Sequence, residues 1–348
     1  MGNICRGHKG PGAARSFGPF AVRCGGKRGT VTEGPLNGKI QAVKKGKKKA
    51  GWISEQLCVQ MGRTCNLYCV YCQNPPTGKP APKEKLAALI AKKGITAVSL
   101  EGGGEPTASA DFFDWIETLK AAGVTNFMLS TNAVALSDPD FCRKAEKEID
   151  YFTVNFPAAD AETYGKATRS VKFGMAVKGL ENLKALGAEN KIRLFHIIFK
   201  DNYRQLPAFA DWVVKKFPGL AFVNFTFVRN AGRVGDSAEI VPRYSEAEPF
   251  LKVALAKLKL KRIKAVVQNV PLCRLQNFEG FSFEFQRWRR GDRILEAGIA
   301  GKAKNPACKR CALEPACCGA RADYLKIHGN KELVSSVKDP ESVGAEAF

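Results

Sequence analysis

Between residues 51 and 235 the chain alternates short β-rich runs with amphipathic stretches at helical spacing, and this alternation constrains its fold more than any other feature. Strand-like runs fall at 53–60, 95–100, 124–130, 149–155, 191–199 and 220–228. Helix-like segments fall between them at 83–93, 110–122, 138–148, 172–186 and 202–217. Asp138-Pro139 has the form of an N-cap followed by a first-turn proline, and Lys93-Gly94 and Leu186-Gly187 stop helices at glycine. Six strands separated by five helices predict consecutive right-handed βαβ units and a parallel sheet. Six units are too few to close an eight-fold barrel, so an open (β/α)6 barrel and a doubly wound sheet both fit. In either, the ligand site lies at the C-terminal ends of the strands.

The alternation stops near Gly235. A helical stretch (245–260), a strand-like run (263–270), an Arg-rich region (281–293) and a cysteine group (308–318) follow, read as a separate C-terminal module over 236–348. Residues 1–50 hold twelve Lys/Arg against one acid, Glu33, and carry half of the chain's net charge of +22. Rich in Gly and poor in large apolar side chains, they read as a basic, flexible arm that is either a solubilising tail or a binder of polyanions. No apolar run is long enough to span a membrane, so no membrane partner is expected. Twelve cysteines, clustered locally and with no export signal beside them, point to metal ligation in a reducing, cytoplasmic setting rather than to disulfides.

Residues 65–72 read Cys-Asn-Leu-Tyr-Cys-Val-Tyr-Cys, so Cys65, Cys69 and Cys72 stand at C-x3-C-x2-C directly after the first strand. Three thiolates on so short a loop can wrap one small cluster. A [4Fe–4S] cubane needs four ligands, and three from this loop leave one iron open to an outside ligand. The alternative is zinc held by these three and a fourth residue, for which the nearby chain offers no obvious His or Cys. Cys58, on the strand, and Cys142, in a helical stretch, read as core.

This pattern resembles the radical S-adenosylmethionine (radical SAM) superfamily. The resemblance rests on Cys65, Cys69 and Cys72 with Tyr71 before the third cysteine, on Gly102-Gly103-Gly104-Glu105-Pro106 after the second strand, and on Ser130-Thr131-Asn132 closing the third. It covers roughly residues 51–235. It implies an α/β fold, an open partial (β/α)6 barrel, with a [4Fe–4S] cluster whose open iron chelates S-adenosylmethionine (SAM). One electron then splits the sulfonium, and a 5′-deoxyadenosyl radical takes hydrogen from a substrate. By the same resemblance Gly102, Gly103, Gly104, Glu105 and Pro106 meet the methionyl end of SAM. Ser130, Asn132 and Asn155 are candidates for its carboxylate or ribose, and Tyr71 for its adenine. Arg169, Arg193 and His196 are further candidates. Arg193 and His196 lie three apart on one strand, so at most one of them faces the barrel interior.

Cys308-x2-Cys311-x5-Cys317 is followed at once by Cys318, and Cys273 ends a strand-like run upstream. Cys273, Cys308, Cys311 and Cys317 could close a second, fully ligated [4Fe–4S] cluster for electron transfer or for holding the module in place. Structural zinc suits four cysteines too, and Cys318 could replace Cys317. This part resembles the SPASM and twitch extensions of radical SAM enzymes. SPASM continues with a further cysteine where this chain has Arg321, so a one-cluster, twitch-like module is preferred. Cys5, His8 and Cys24 make a weak third constellation.

The favoured function is a radical SAM enzyme acting on a peptide or protein side chain. A radical SAM enzyme that modifies RNA is the alternative, suggested by the net +22. A non-enzymatic iron–sulfur or zinc protein leaves the 102–106 motif unexplained. A flavodoxin- or ferredoxin-like electron donor is implied as partner, with the Arg-rich stretch Arg287 to Arg293 as a place to receive it.

Overall fold

The structure is a computed structural model and describes residues 21–24, 27–30, 57–76, 82–235, 237–291, 301–344 and 346. The expectations for the basic arm and for a Cys5/His8/Cys24 site lie outside them, apart from a short antiparallel pair at Ala21–Cys24 and Lys27–Thr30.

Seven parallel strands form the central sheet: β1 (Leu57–Val59), β2 (Ala97–Leu100), β3 (Asn126–Thr131), β4 (Tyr151–Asn155), β5 (Ile192–Ile198), β6 (Phe222–Phe227) and β7 (Ala265–Gln268). Their order in the sheet is their order in the chain, and β1 does not pair with β7. This order decides between the two folds left open by the sequence. A doubly wound sheet reverses direction at a switch point, whereas right-handed crossovers that never reverse put every helix on one face and curl the sheet into a partial barrel. The helices are α1 (Lys83–Lys93), α2 (Phe112–Ala121), α3 (Pro139–Glu148), α4 (Ala161–Thr168), α5 (Phe173–Ala185), α6 (Leu206–Lys216) and α7 (Tyr244–Leu260). They touch in sequence, α1 on α2, α3 and α4 on α5, and α6 on α7.

The pleat separates two chemistries. One face carries Val59, Leu100, Leu129, Val154, Leu194 and Val223, all fully buried. Each such side chain stabilises the fold by about 1.5–3 kcal/mol. Register puts the opposite face in rows: Cys58, Ser99, Met128 and Tyr151; then Ser130, Thr153, Arg193 and Phe222; then Asn155, Phe195, Asn224 and Val266; then Ile197, Thr226 and Gln268. A slip of one residue would turn this polar face onto the helices, so the register is strongly specified.

Two features depart from the sequence expectation. The 263–270 run, assigned to the C-terminal module, supplies β7 and pairs with β6, so the sheet continues one strand past residue 235. Helix α4 was not anticipated. It is a short segment containing Gly165, and its start is set by Asp160, whose side chain accepts from the Thr163 N–H at 2.8 Å. Beyond α7 lie α8 (Phe283–Arg289), a two-residue pair β8 (Lys302–Ala303) with β9 (Ala320–Arg321), and α9 (Ala322–His328). This part docks through Tyr324, whose ring stacks on Tyr244 at 3.9 Å and whose hydroxyl accepts from the Tyr244 N–H at 3.0 Å.

Candidate active site

The loop after β1 carries Cys65, Cys69 and Cys72 and is held from three sides. The N–H groups of Tyr68 and Val70 donate to the carbonyls of Thr168 and Ala167, both at 2.9 Å. These are last-turn carbonyls of α4, which have no partner within the helix. The Asn132 Nδ2 donates to Asn66 Oδ1 at 2.6 Å, and Lys172 Nζ to the Asn66 carbonyl at 3.2 Å. From the far edge the loop after β6 closes in. The Arg233 N–H donates to the Cys72 carbonyl at 2.8 Å, and its guanidinium donates to the Cys69 carbonyl at 3.3 Å. Only glycine permits this approach, because a Cβ at Gly232 would stand 2.3 Å from the Cys72 carbonyl oxygen.

The glycine run after β2 lies against the same loop. Gly104 has φ +149°, and a Cβ there would stand 2.2 Å from the Thr64 carbonyl oxygen. The Glu105 N–H donates to that same oxygen at 2.8 Å. The Glu105 carboxylate, expected to meet the cofactor, is buried and engaged by protein. Its Oε1 accepts from Thr107 Oγ1 and Thr131 Oγ1 at 2.6 Å and from the Thr107 N–H at 3.3 Å; its Oε2 accepts from the Asn132 N–H at 2.8 Å. Glu105 therefore ties the glycine turn to the end of β3. Asn132 is also committed, since its Oδ1 accepts from the Val134 N–H at 3.1 Å.

Burial pushes the thiol pKa of Cys65 and Cys72 up, and that of Cys69 to about 12. Backbone N–H groups of Leu67 and Asn74 and the charge of Arg233 act the other way on Cys65 or Cys72. Such thiols become thiolates when a cation takes the proton's place. The groups acting most strongly on the three are one another, Glu105, Tyr71 and Arg233, with no fourth cysteine or histidine among them. Among the described residues no three His, Cys, Asp or Glu side chains converge on a single metal-ion position.

Tyr71 is buried against Phe199 at 5.3 Å between ring centroids, and its hydroxyl hydrogen-bonds Cys69 and accepts from Asn155 Nδ2 at 3.1 Å. The other end of that amide, Asn155 Oδ1, is buried without a partner, as a ligand-facing atom would be. Ser130 and Arg193 share the polar face with Asn155. Arg193 sits further from the strand ends, its guanidinium over the Tyr151 ring at 3.8 Å. His196 points the other way. Its ring lies 4.1 Å from that of Phe209, with Nδ1 3.1 Å from the Phe156 carbonyl and Nε2 3.1 Å from Asn202 Nδ2, and burial lowers its pKa to about 3. It is a packing residue of the helix-facing side. Arg169 caps α4 in the left-handed conformation, 5.3 Å from the Tyr68 ring.

The structure corrects the reading of one residue and adds others. Cys58 is not core. It is half-buried on the polar face and donates to Glu101 Oε1 at 2.9 Å, while Ser99 donates to Glu101 Oε2 at 2.9 Å. Asn224, Thr226 and Gln268 form a second polar group on the same face. Period-two alternation within these strands was the available signal. Cys142 is fully buried in the core, as expected.

In the C-terminal part Cys273, Cys308, Cys311 and Cys317 line one cavity. The Gly319 N–H donates to Cys317 Sγ at 3.4 Å and the Ser336 N–H to Cys311 Sγ at 3.3 Å. Cys318 does not line this cavity and is acted on by Lys302 and Glu284. Arg321, at the position of the missing SPASM cysteine, instead grips Asp323 with two nitrogens at 2.9 and 2.7 Å. Of the Arg-rich stretch, residues 292 and 293 lie outside the described residues, and Arg289 Nη1 donates to the Val343 carbonyl at 2.7 Å.

A cysteine loop is braced by a glycine turn at the C-terminal ends of parallel strands in an α/β partial barrel. The family model for the Radical SAM superfamily matches residues 59–213, and this stretch of the chain is a radical SAM domain. The chain is 26% identical over 204 residues to a GTP 3′,8-cyclase of Mannheimia succiniciproducens, spanning 56% of this chain and 58% of that protein. It is 31% identical over 180 residues to the mycofactocin maturase MftC of Mycobacterium ulcerans, spanning 49% of this chain and 47% of that protein. The crystal structure of Streptococcus suis SuiB superposes with a TM-score of 0.46 at 14% identity, covering 61% of this chain and 50% of that one.

Proposed function

We propose that this chain is a radical SAM enzyme with one auxiliary iron–sulfur cluster, and that its substrate is a peptide or protein side chain. The observation that carries the reading is the locking of the three-thiol loop onto the glycine turn at the open strand ends, with no fourth thiol of the described residues among the strongest influences on the three. Cys65, Cys69 and Cys72 would hold a [4Fe–4S] cluster whose fourth ligand position is left to SAM. When bound, the cluster would supply the one electron needed for reductive cleavage of SAM and so for radical hydrogen abstraction from the substrate.

The chain's own residues orient and enclose. Glu105 and Asn132 hold the glycine turn, whose backbone can approach SAM closely for want of side chains. Asn155 offers its unpartnered Oδ1, and Ser130 stands in the adjacent row. Cys273, Cys308, Cys311 and Cys317 would hold the second cluster. Four protein ligands saturate it, so it would carry electrons rather than bind SAM. Donors to sulfur from Gly319 and Ser336 suit that role, because hydrogen bonds to sulfur tune the potential of a cluster. A flavodoxin- or ferredoxin-like protein would deliver the electrons, in the cytoplasm. No described helix is long and apolar enough to cross a membrane.

The peptide substrate is supported by the likeness to a maturase and by the second cysteine cavity. A nucleotide substrate is the second reading, supported by the likeness to a GTP 3′,8-cyclase, and the +22 charge extends it to RNA. Protein reconstituted without oxygen should bind about eight irons if both sites are cubanes. Changing Cys65, Cys69 and Cys72 together to Ala should halve the iron and abolish 5′-deoxyadenosine release from SAM; persistent release defeats the assignment. Salt-independent or absent RNA binding by the whole chain would remove the RNA reading.

A further inference from the structure

Of the cations around the cysteine loop, Arg233 alone acts on all three thiols among the strongest influences on each. It is fixed there by four constraints. Its N–H is bonded to the Cys72 carbonyl at 2.8 Å, its Nη1 donates to the Cys69 carbonyl at 3.3 Å, its guanidinium lies 3.5 Å over the half-exposed Tyr68 ring, and the preceding Gly232 has φ +65° against the loop backbone. A guanidinium stacked on a ring and bonded to a loop carbonyl, on a backbone itself bonded to the loop, keeps its charge in one place. The negative charge facing the site, the Glu105 carboxylate, is occupied by four donors of Thr107, Thr131 and Asn132.

We propose that Arg233 sets the reduction potential of the cluster held by Cys65, Cys69 and Cys72, making the cluster easier to reduce. The inference rests on the reading above that these cysteines hold a cluster. Reduction adds one electron, from dithionite in the test or from the electron-donor protein, and hence one unit of negative charge to a centre already ringed by thiolates. A fixed positive charge held against the cysteine loop favours the more negative state. Arg233 is thus a positioning and tuning residue that touches the loop and not the reacting atoms. At the second site the backbone N–H groups of Gly319 and Ser336 face Cys317 and Cys311, and the charges acting there are Lys304 on Cys317 and Arg274 on Cys273, so Arg233 bears on the first site alone of the two.

The test is a mediator-equilibrated dithionite titration followed by electron paramagnetic resonance, on the full chain with both clusters reconstituted. Arg233→Gln should move the first-site midpoint to more negative potential, Arg233→Lys should restore most of the shift, and the second-site midpoint should stay in place in both. A first-site midpoint in Arg233→Gln equal to that of the unaltered chain overturns the proposal. If Arg233→Gln loses its first-site iron, Arg233→Lys decides: retention near the unaltered midpoint supports a role through charge, and loss of iron there too makes the role purely structural. Failure of the underlying reading looks different, since the unaltered chain would then show no first-site signal, or Cys65→Ala would leave that signal intact.

Discussion

Replacing Glu105 with Gln separates two roles for this residue, a brace of the glycine turn and a direct ligand of SAM. Gln keeps the shape and exchanges one oxygen for an NH2 group. At the Oε2 position that group would meet the Asn132 N–H, a donor at 2.8 Å that cannot turn away. At the Oε1 position it would meet the hydroxyls of Thr107 and Thr131, which can rotate to accept, and the Thr107 N–H, already long at 3.3 Å. The amide therefore settles with its NH2 at Oε1 and loses the weaker backbone bond. The remaining bonds lose their charge assistance, roughly half their strength. Burial already pushes the carboxyl pKa of Glu105 up, so removing the charge returns part of that loss. The net destabilisation should be about 1–2 kcal/mol, read as a lower urea midpoint of the reconstituted protein at unchanged slope. SAM affinity, measured by anaerobic equilibrium dialysis, should change by less than about tenfold, since loss of a direct hydrogen bond to the charged carboxylate would cost about 1.5 kcal/mol or more, and about 1.4 kcal/mol is already a factor of ten. Unchanged stability with SAM binding lost by more than that factor would refute the brace and make the carboxylate a ligand.

Other outcomes follow from the same geometry. Gly104→Ala places a Cβ 2.2 Å from the Thr64 carbonyl oxygen at φ +149°, so it should cost about 2 kcal/mol or more and lower first-site iron on reconstitution. Cys317→Ser should reduce iron at the second site, seen as iron per chain and visible absorbance, while Cys318→Ser should leave both unchanged. Acidification should destabilise the chain through His196, whose pKa falls from 6.5 to about 3 on folding. The unfolded chain then binds the proton first, so stability is full above pH 6.5 and is lost as pH falls toward 3. Between pH 7 and 5 the loss should be about 2 kcal/mol, measured by urea unfolding, and His196→Gln should lack this part of the pH dependence.

Much of the site was legible because its signals are local. The spacing of Cys65, Cys69 and Cys72 is fixed by the covalent chain, and the glycine run after β2 is a turn signal wherever it occurs. The strand-like runs were legible from alternation, and the register confirms a polar face opposite an apolar one. Helix α4 was missed because eight residues including a glycine give little periodicity, and its last turn is satisfied by a loop almost a hundred residues earlier. Cys58 was misread because one thiol on a strand does not reveal its face until the neighbouring strand places Glu101 beside it.

The sequence by itself therefore determined the alternating architecture, the two cysteine groups and the glycine turn, because periodicity and spacing are properties of neighbouring residues. Only the tertiary structure decided that the strands wind in one direction, that Cys317 and not Cys318 lines the second cavity, and that Arg233 reaches Cys69 across 164 residues. Those outcomes depend on which distant segments meet once the apolar face is buried, and no local pattern encodes that meeting.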